Sequence, residues 1–175
     1  LVESLEGKRG IPRNRPPRLA EKGYLGRPTI VNNVESYCAA ALIVLHGADW
    51  FRARGTSRSA GTKLLSVSGD CLRPGVYLVP WGISVKELLE MVGGENAKAV
   101  QVGGASGHTV PAAQFNRRLG FDDLATGGAI MIFNRARSQL EIAEHYLDFF
   151  IEESCGHCTP CRVGTQKAAI LMERP

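Results

Sequence analysis

The sequence predicts an α+β fold in which a small mixed sheet cradles one helix, the β-grasp arrangement. Three observations point there. Between residues 64 and 133, short apolar runs and turn signals follow one another in the order strand, strand, helix, strand, a weaker strand and a last strand. The helix in that series carries both of its boundaries in the sequence. Finally, 44% of the 175 residues are hydrophobic, enough to pack the core of one ordinary domain or two small ones.

The elements are read in order. Gly10-Ile-Pro-Arg-Asn-Arg-Pro-Pro-Arg18 has three prolines among its arginines, which excludes a helix interior or a central strand and predicts an extended loop. Val34–His46 is predicted helical, with Asn33 as N-cap and Gly47 as its stop, and with Trp50 and Phe51 docking that end. Residues 54–61, rich in Gly, Ser and Thr, read as a linker. Leu64–Val67 and Val76–Val79 form a hairpin across the turn residues Asp70–Gly75. Ser84 and Glu87 make a capping box for a helix whose apolar face is Val85, Leu88, Leu89 and Val92, ended by Gly93-Gly94. Ala99–Val102, a weaker run from Thr109 and the apolar Ala129–Phe133 are the remaining strands. Ser138 and Glu141 form a second capping box, ahead of an apolar series from Leu140 to Ile151 at helical spacing. Helical character resumes at Thr165. Leu1 is not an initiator and the chain stops at Arg174-Pro175 within that helical stretch, so a piece of a longer protein is expected.

Charge and cysteine usage narrow the function. Twenty-one Lys and Arg against 17 Asp and Glu leave +4, too little to mark a polyanion-binding protein, so no nucleic-acid partner is expected. The longest apolar stretch, Ala39–Leu45, falls far short of the ~20 residues that span a bilayer, and no secretion leader opens the chain. A cytoplasmic protein without membrane insertion is expected. Five cysteines, three of them within Cys155-Gly-His-Cys158-Thr-Pro-Cys161, do not make a secreted disulfide framework.

That triplet is the most informative segment. Two-residue spacers let successive thiolates curl around one centre, and Gly156 and Pro160 favour a tight non-helical loop whose amides point at sulfur. An iron–sulfur cluster fits, although position 165 is Thr where a ferredoxin run would supply the fourth cysteine. Zinc held by three cysteines with His145 or His157 competes, as do three unligated thiols. Elsewhere the simpler readings carry more weight. Lys8, Arg9, Arg13, Arg15 and Arg18 read as a solvated basic loop tied to carboxylates, with phosphate binding as the sharper alternative. Asn32-Asn33 reads as a helix cap, though the same helix end would receive an anionic ligand group. Gly103-Gly104-Ala-Ser-Gly107-His108 lacks the Walker and dinucleotide patterns and reads as a turn between strands. His46 and His145 read as packing or surface residues. No Ser-His-Asp or Cys-His arrangement supports hydrolysis.

Taken together, Glu3-Ser-Leu-Glu-Gly-Lys-Arg-Gly10, Gly26-Arg-Pro-Thr-Ile-Val-Asn-Asn-Val-Glu35 and Glu153-Ser-Cys-Gly-His-Cys-Thr-Pro-Cys-Arg-Val-Gly164 resemble the family of the flavin- and NADH-binding 51 kDa subunit of respiratory complex I. Gly47–Arg52 and Ser59–Cys71 look closer still to the diaphorase subunit of cytoplasmic NAD-reducing hydrogenases, and NAD-dependent formate dehydrogenases have a similar subunit. The resemblance implies a division into the tail of a Rossmann-like FMN/NADH-binding domain (1–60), a ubiquitin-like, SLBB-type β-grasp domain (61–136) and the start of a helical [4Fe–4S] bundle (137–175). It implies Cys155, Cys158 and Cys161 as cluster ligands, with a fourth roughly forty residues further on, since such clusters take four cysteines. It implies FMN contacts at Val31, Asn32, Asn33 and Ser36, the last standing where relatives more often have Thr. Relatives commonly carry an aromatic residue near the nicotinamide where Pro17-Arg18-Leu19 stands here. The implied activity is NADH:acceptor oxidoreduction through FMN and [4Fe–4S]. The implied partners are a [2Fe–2S] subunit and hydrogenase, formate dehydrogenase or complex I subunits. A non-enzymatic β-grasp interaction module with a zinc-stabilised Cys-rich tail is the alternative.

Overall fold

The computed structural model describes residues 1–10 and 16–172. The basic loop predicted over Gly10–Arg18 lies mostly outside the described residues, Arg13 and Arg15 included. The helices and strands run α1 (Val2–Leu5), α2 (Val34–His46), α3 (Ala48–Arg52), β1 (Thr62–Gly69), β2 (Gly75–Pro80), α4 (Val85–Val92), β3 (Ala97–Val102), β4 (His108–Pro111), β5 (Ala129–Asn134), α5 (Gln139–Glu152) and α6 (Thr159–Met172). Two compact units result, one from Leu1–Ser36 with Leu140–Pro175, the other from Tyr37–Gln139.

The second unit is a mixed α+β structure on a five-stranded sheet of order β2-β1-β5-β3-β4. The local pairs are antiparallel: Leu64 faces Leu78 across the β1–β2 hairpin, and Val100 faces Val110 across β3–β4. The non-local pair β1–β5 is parallel, Val67 opposite Ile130 and Gly69 opposite Ile132. Two glycines let these strands approach. Gly69 (φ +90°) and Gly128 (φ +116°) sit in backbone conformations that side chains disfavour, and an added Cβ would stand 2.2 Å from the Ile132 carbonyl oxygen or 2.5 Å from that of Leu64.

Helix α4 forms where its sequence says it should. Ser84 Oγ accepts the Glu87 N–H at 3.1 Å while the Glu87 carboxylate accepts the Ser84 N–H at 2.8 Å, and Gly93 closes the other end in the left-handed region. The Ser84 N–H, and the Ser84 hydroxyl donating to the same carboxylate oxygen at 2.7 Å, hold the Glu87 carboxyl below its ordinary pKa. Val85, Leu88, Leu89 and Val92 are all buried, against Leu65, Val67, Val100, Val102, Ile130 and Ile132 from the sheet. Each large side chain fully withdrawn from water contributes about 1.5–3 kcal/mol of transfer free energy.

Two loops close this core. Residues 112–128 place Leu119 and Leu124 in the interior and set Phe121 against Trp81, ring centres 5.2 Å apart. The predicted linker over residues 54–61 is instead a built turn. Ser59 is buried, its backbone carbonyl accepts the Thr56 N–H, and its hydroxyl accepts the Phe121 N–H at 2.9 Å. Small polar residues serve tight packing there, not freedom.

An ion pair fastens the end of the sheet. Arg137 grips the Asp70 carboxylate with Nε at 3.0 Å and a terminal nitrogen at 2.9 Å, and the Asn134 N–H adds a third bond at 3.0 Å. The Arg137 hydrogen bonds, with that backbone N–H, bring the Asp70 pKa down to about 2. The β1–β2 turn is thereby tied to the segment leaving β5.

In the other unit, Glu6 accepts the Leu25 N–H at 2.7 Å and pairs with Lys8, two residues on, at 2.6 Å. Asn33 caps α2 as predicted, its Oδ1 accepting the Glu35 N–H at 2.9 Å. In the sheet-bearing unit, past the stop at Gly47, Trp50 lies against His46 with ring centres 4.9 Å apart. Among the described residues, no helix is long and apolar enough to cross a membrane.

Candidate functional site

The clustered cysteines occupy the connection between α5 and α6. The Glu153 N–H still bonds the Phe149 carbonyl, after which Gly156 (φ +73°) reverses the chain. Cys155 and Cys158 lie on this arc and Cys161 lies in the first turn of α6. The expected loop is therefore shorter than the sequence suggested. Pro160 opens a helix instead of prolonging a coil, because proline is tolerated in a first turn where its missing N–H has no intrahelical partner to lose. That helix starts at Thr159, six residues before the Thr165 expected.

Side chains outside the cysteine spacing hold the arc. Arg162 reaches back from α6 to donate to the carbonyl of Gly156, and makes longer contacts of 3.4 Å to the His157 carbonyl and the Thr159 hydroxyl. Its own N–H donates to the Cys158 carbonyl at 3.0 Å. The Thr165 hydroxyl donates to the Cys161 carbonyl at 2.7 Å. Ser154 Oγ accepts the Gly156 N–H at 3.2 Å and stands 3.3 Å from Cys161 Sγ. Ser154 and Arg162 were missed in the sequence because cysteine spacing picks out candidate ligands and says nothing of the side chains that hold the loop.

All three cysteines are free thiols and exposed. An all-thiolate, soft donor set on two-residue spacers suits an iron–sulfur centre in ligand type and chain order. Among the described residues, no three His, Cys, Asp or Glu side chains are gathered as an ion would require, and neither His145 nor His157 completes a set with the thiols. The fit to a cluster is one of donor chemistry, and the zinc alternative gains nothing from the placement.

The other candidate residues run along one stretch at the start of α2. Val31, Asn32, Asn33 and Ser36 are all exposed there, and the Asn33 side chain is engaged as the cap. The glycine-rich segment at residues 103–107 is a turn, as expected. Gln101, only 2% exposed, donates from Nε2 to the Gly104 carbonyl at 2.7 Å and accepts from the Thr109 hydroxyl. Of the two isolated cysteines, Cys71 packs on the sheet core and Cys38 is exposed.

A five-stranded mixed sheet is followed in the chain by two helices that bracket a CxxCxxC arc, a thiol spacing of the class found in iron–sulfur binding regions. Residues 141–175 match the family model of the NADH-ubiquinone oxidoreductase-F iron–sulfur binding region. Over 165 residues, 94% of its length, the chain is 54% identical to the NAD-reducing hydrogenase HoxS subunit alpha of Cupriavidus necator, of which it covers 27%. It is 39% identical over 175 residues to an NADH-quinone oxidoreductase subunit of Mycobacterium tuberculosis strain H37Rv, covering 94% of this chain and 39% of that one. The crystal structure of an NAD+-reducing [NiFe]-hydrogenase in the H2-reduced state superposes with a TM-score of 0.91 at 48% identity, covering 98% of this chain and 30% of that chain. The chain is homologous to these oxidoreductase subunits and spans about a quarter to two-fifths of their length.

Proposed function

We propose that this chain forms part of an NADH:acceptor oxidoreductase subunit that passes electrons from NADH through FMN to a [4Fe–4S] cluster and on to partner subunits. The observation that carries the reading is the Cys155-x2-Cys158-x2-Cys161 arc lying inside the segment that matches the iron–sulfur binding region. Cys155, Cys158 and Cys161 supply three thiolates, and a fourth cysteine comes from sequence beyond these residues. Val31, Asn32, Asn33 and Ser36 line one side of the FMN site, where the exposed start of α2 offers backbone amides and the positive end of a helix dipole to a polar or anionic group. Cluster and flavin supply the redox chemistry, while these residues bind, orient and shield. No side chain of this chain is assigned as a general acid or base.

The domain reading follows: residues 1–60 as the tail of a Rossmann-like flavin domain, 61–136 as a ubiquitin-like, SLBB-type β-grasp domain, and 137–175 as the start of a helical cluster-binding domain. The sheet order with a central parallel pair and one helix across it supports the middle assignment. A [2Fe–2S] subunit and a hydrogenase, formate dehydrogenase or quinone-reducing assembly are the partners proposed, in the cytoplasm.

The test is iron and acid-labile sulfide analysis of the full-length protein that carries this chain, with electron paramagnetic resonance after reduction by NADH. Near-stoichiometric four-iron content and a reduced-cluster signal are expected. Stoichiometric zinc without iron would sink the reading. The 175 residues alone are expected not to oxidise NADH even with added FMN, and turnover at the rate of a complete diaphorase would contradict that.

A further inference from the structure

We infer that the Ser154 hydroxyl is a fixed hydrogen-bond donor to the sulfur of Cys161 and thereby raises the reduction potential of the centre that this sulfur ligates. The inference rests on the cluster reading above. Three contacts carry it. Ser154 Oγ lies 3.3 Å from Cys161 Sγ, within reach of a hydrogen bond to sulfur. The same oxygen accepts the Gly156 N–H at 3.2 Å, so a lone pair is engaged on that side and the hydroxyl proton is left to point at sulfur. Cys161 is itself immobilised from below, because Thr165 bonds its carbonyl and the residue sits in the first turn of α6.

A free thiol and a hydroxyl can each donate to the other, but a thiolate can only accept. Once Cys161 is a ligand, the direction of the bond is therefore fixed from Ser154 to sulfur. A donor aimed at a cluster thiolate favours the state with more negative charge, which is the reduced one, and so moves the potential upward. Ser154 acts through Cys161 and is a positioning residue, with an effect on potential that a purely structural loop residue would not have.

The experiment is a potentiometric titration of the full-length holoprotein, followed by electron paramagnetic resonance, with iron and sulfide measured on every sample. In Ser154→Ala, unchanged iron content with a reduction equilibrium shifted about tenfold toward the oxidised form is expected, ~59 mV for one electron. Should alanine fail to load iron, Ser154→Thr and Ser154→Val differ by a hydroxyl against a methyl at similar shape. A lower potential in the valine variant supports the inference. Equal potentials in fully loaded wild type and Ser154→Ala, or in the Thr and Val pair, overturn it. Wild type devoid of iron and sulfide overturns the cluster reading beneath it, a different and separately visible failure.

Discussion

The sheet unit and the cysteine-bearing helices are built on opposite principles. Between β1 and β5, apolar side chains find partners inside the same stretch of chain: Leu65, Leu88, Val92, Val100 and Ile132 are almost wholly withdrawn from water. Helices α5 and α6 have no buried residue, and Phe149 and Ile170 stand 47% and 54% exposed. Helix hydrogen bonds, the Phe149–Phe150 ring contact and side chain to backbone contacts around the cysteine arc are among what orders them. Hydrophobic burial therefore shapes one region, and polar contacts around the cysteine arc shape the other.

Substitutions sharpen or break that contrast. The largest effect is expected in the core: Leu88→Ala and Ile132→Ala should each cost about 2–5 kcal/mol in denaturant unfolding, through lost burial and a residual cavity. Next is the ion pair at the end of the sheet, where Asp70→Asn should cost about 1–2 kcal/mol at neutral pH, given an exposed arginine partner. The sign follows from the depressed pKa. The carboxylate's contribution is fully present above its unfolded value of about 3.9 and is lost as the pH falls through about 2, below which the wild type and Asp70→Asn stabilities should converge. Ser84→Ala, which removes the capping box, should cost about 1 kcal/mol in the same assay. The smallest effect is expected from the cysteine helices: Ile170→Ala should stay within about 0.5 kcal/mol of wild type. A cost for Ile170→Ala as large as that of Leu88→Ala would abolish the contrast. Arg162→Ala should likewise leave the unfolding midpoint of the sheet unit unmoved while lowering the iron retained per chain after gel filtration. Full iron retention would show that the arc keeps its shape without the guanidinium.

What was legible in the sequence is what is local. The bounds of α2, the capping box of α4 and the β1–β2 hairpin are each specified by residues a few positions apart, through caps, turn residues and periodicity. The residues that close the core are different. Leu119 and Leu124 sit in a long loop without strand or helix period, and Ser59 is buried because residues 63 positions away accept its packing. Composition alone made the stretch at 54–61 look like a linker. The cysteines and their spacing were visible, but the start of α6 was misplaced because Pro160 was weighed as a breaker when its position made it an opener. Ser154 and Arg162 declare themselves only once the arc brings them against a sulfur and a pair of carbonyls.

The parallel pairing of β1 with β5 has a mechanical consequence. The chain reaches this sheet at the start of β1 and leaves it at the end of β5, and because the two strands run side by side in the same direction, those points lie at opposite ends of the pair. Tension transmitted along the polypeptide loads the pair lengthwise, so its evenly spaced hydrogen bonds share the force instead of yielding one after another as they would in a hairpin pulled open from its tips.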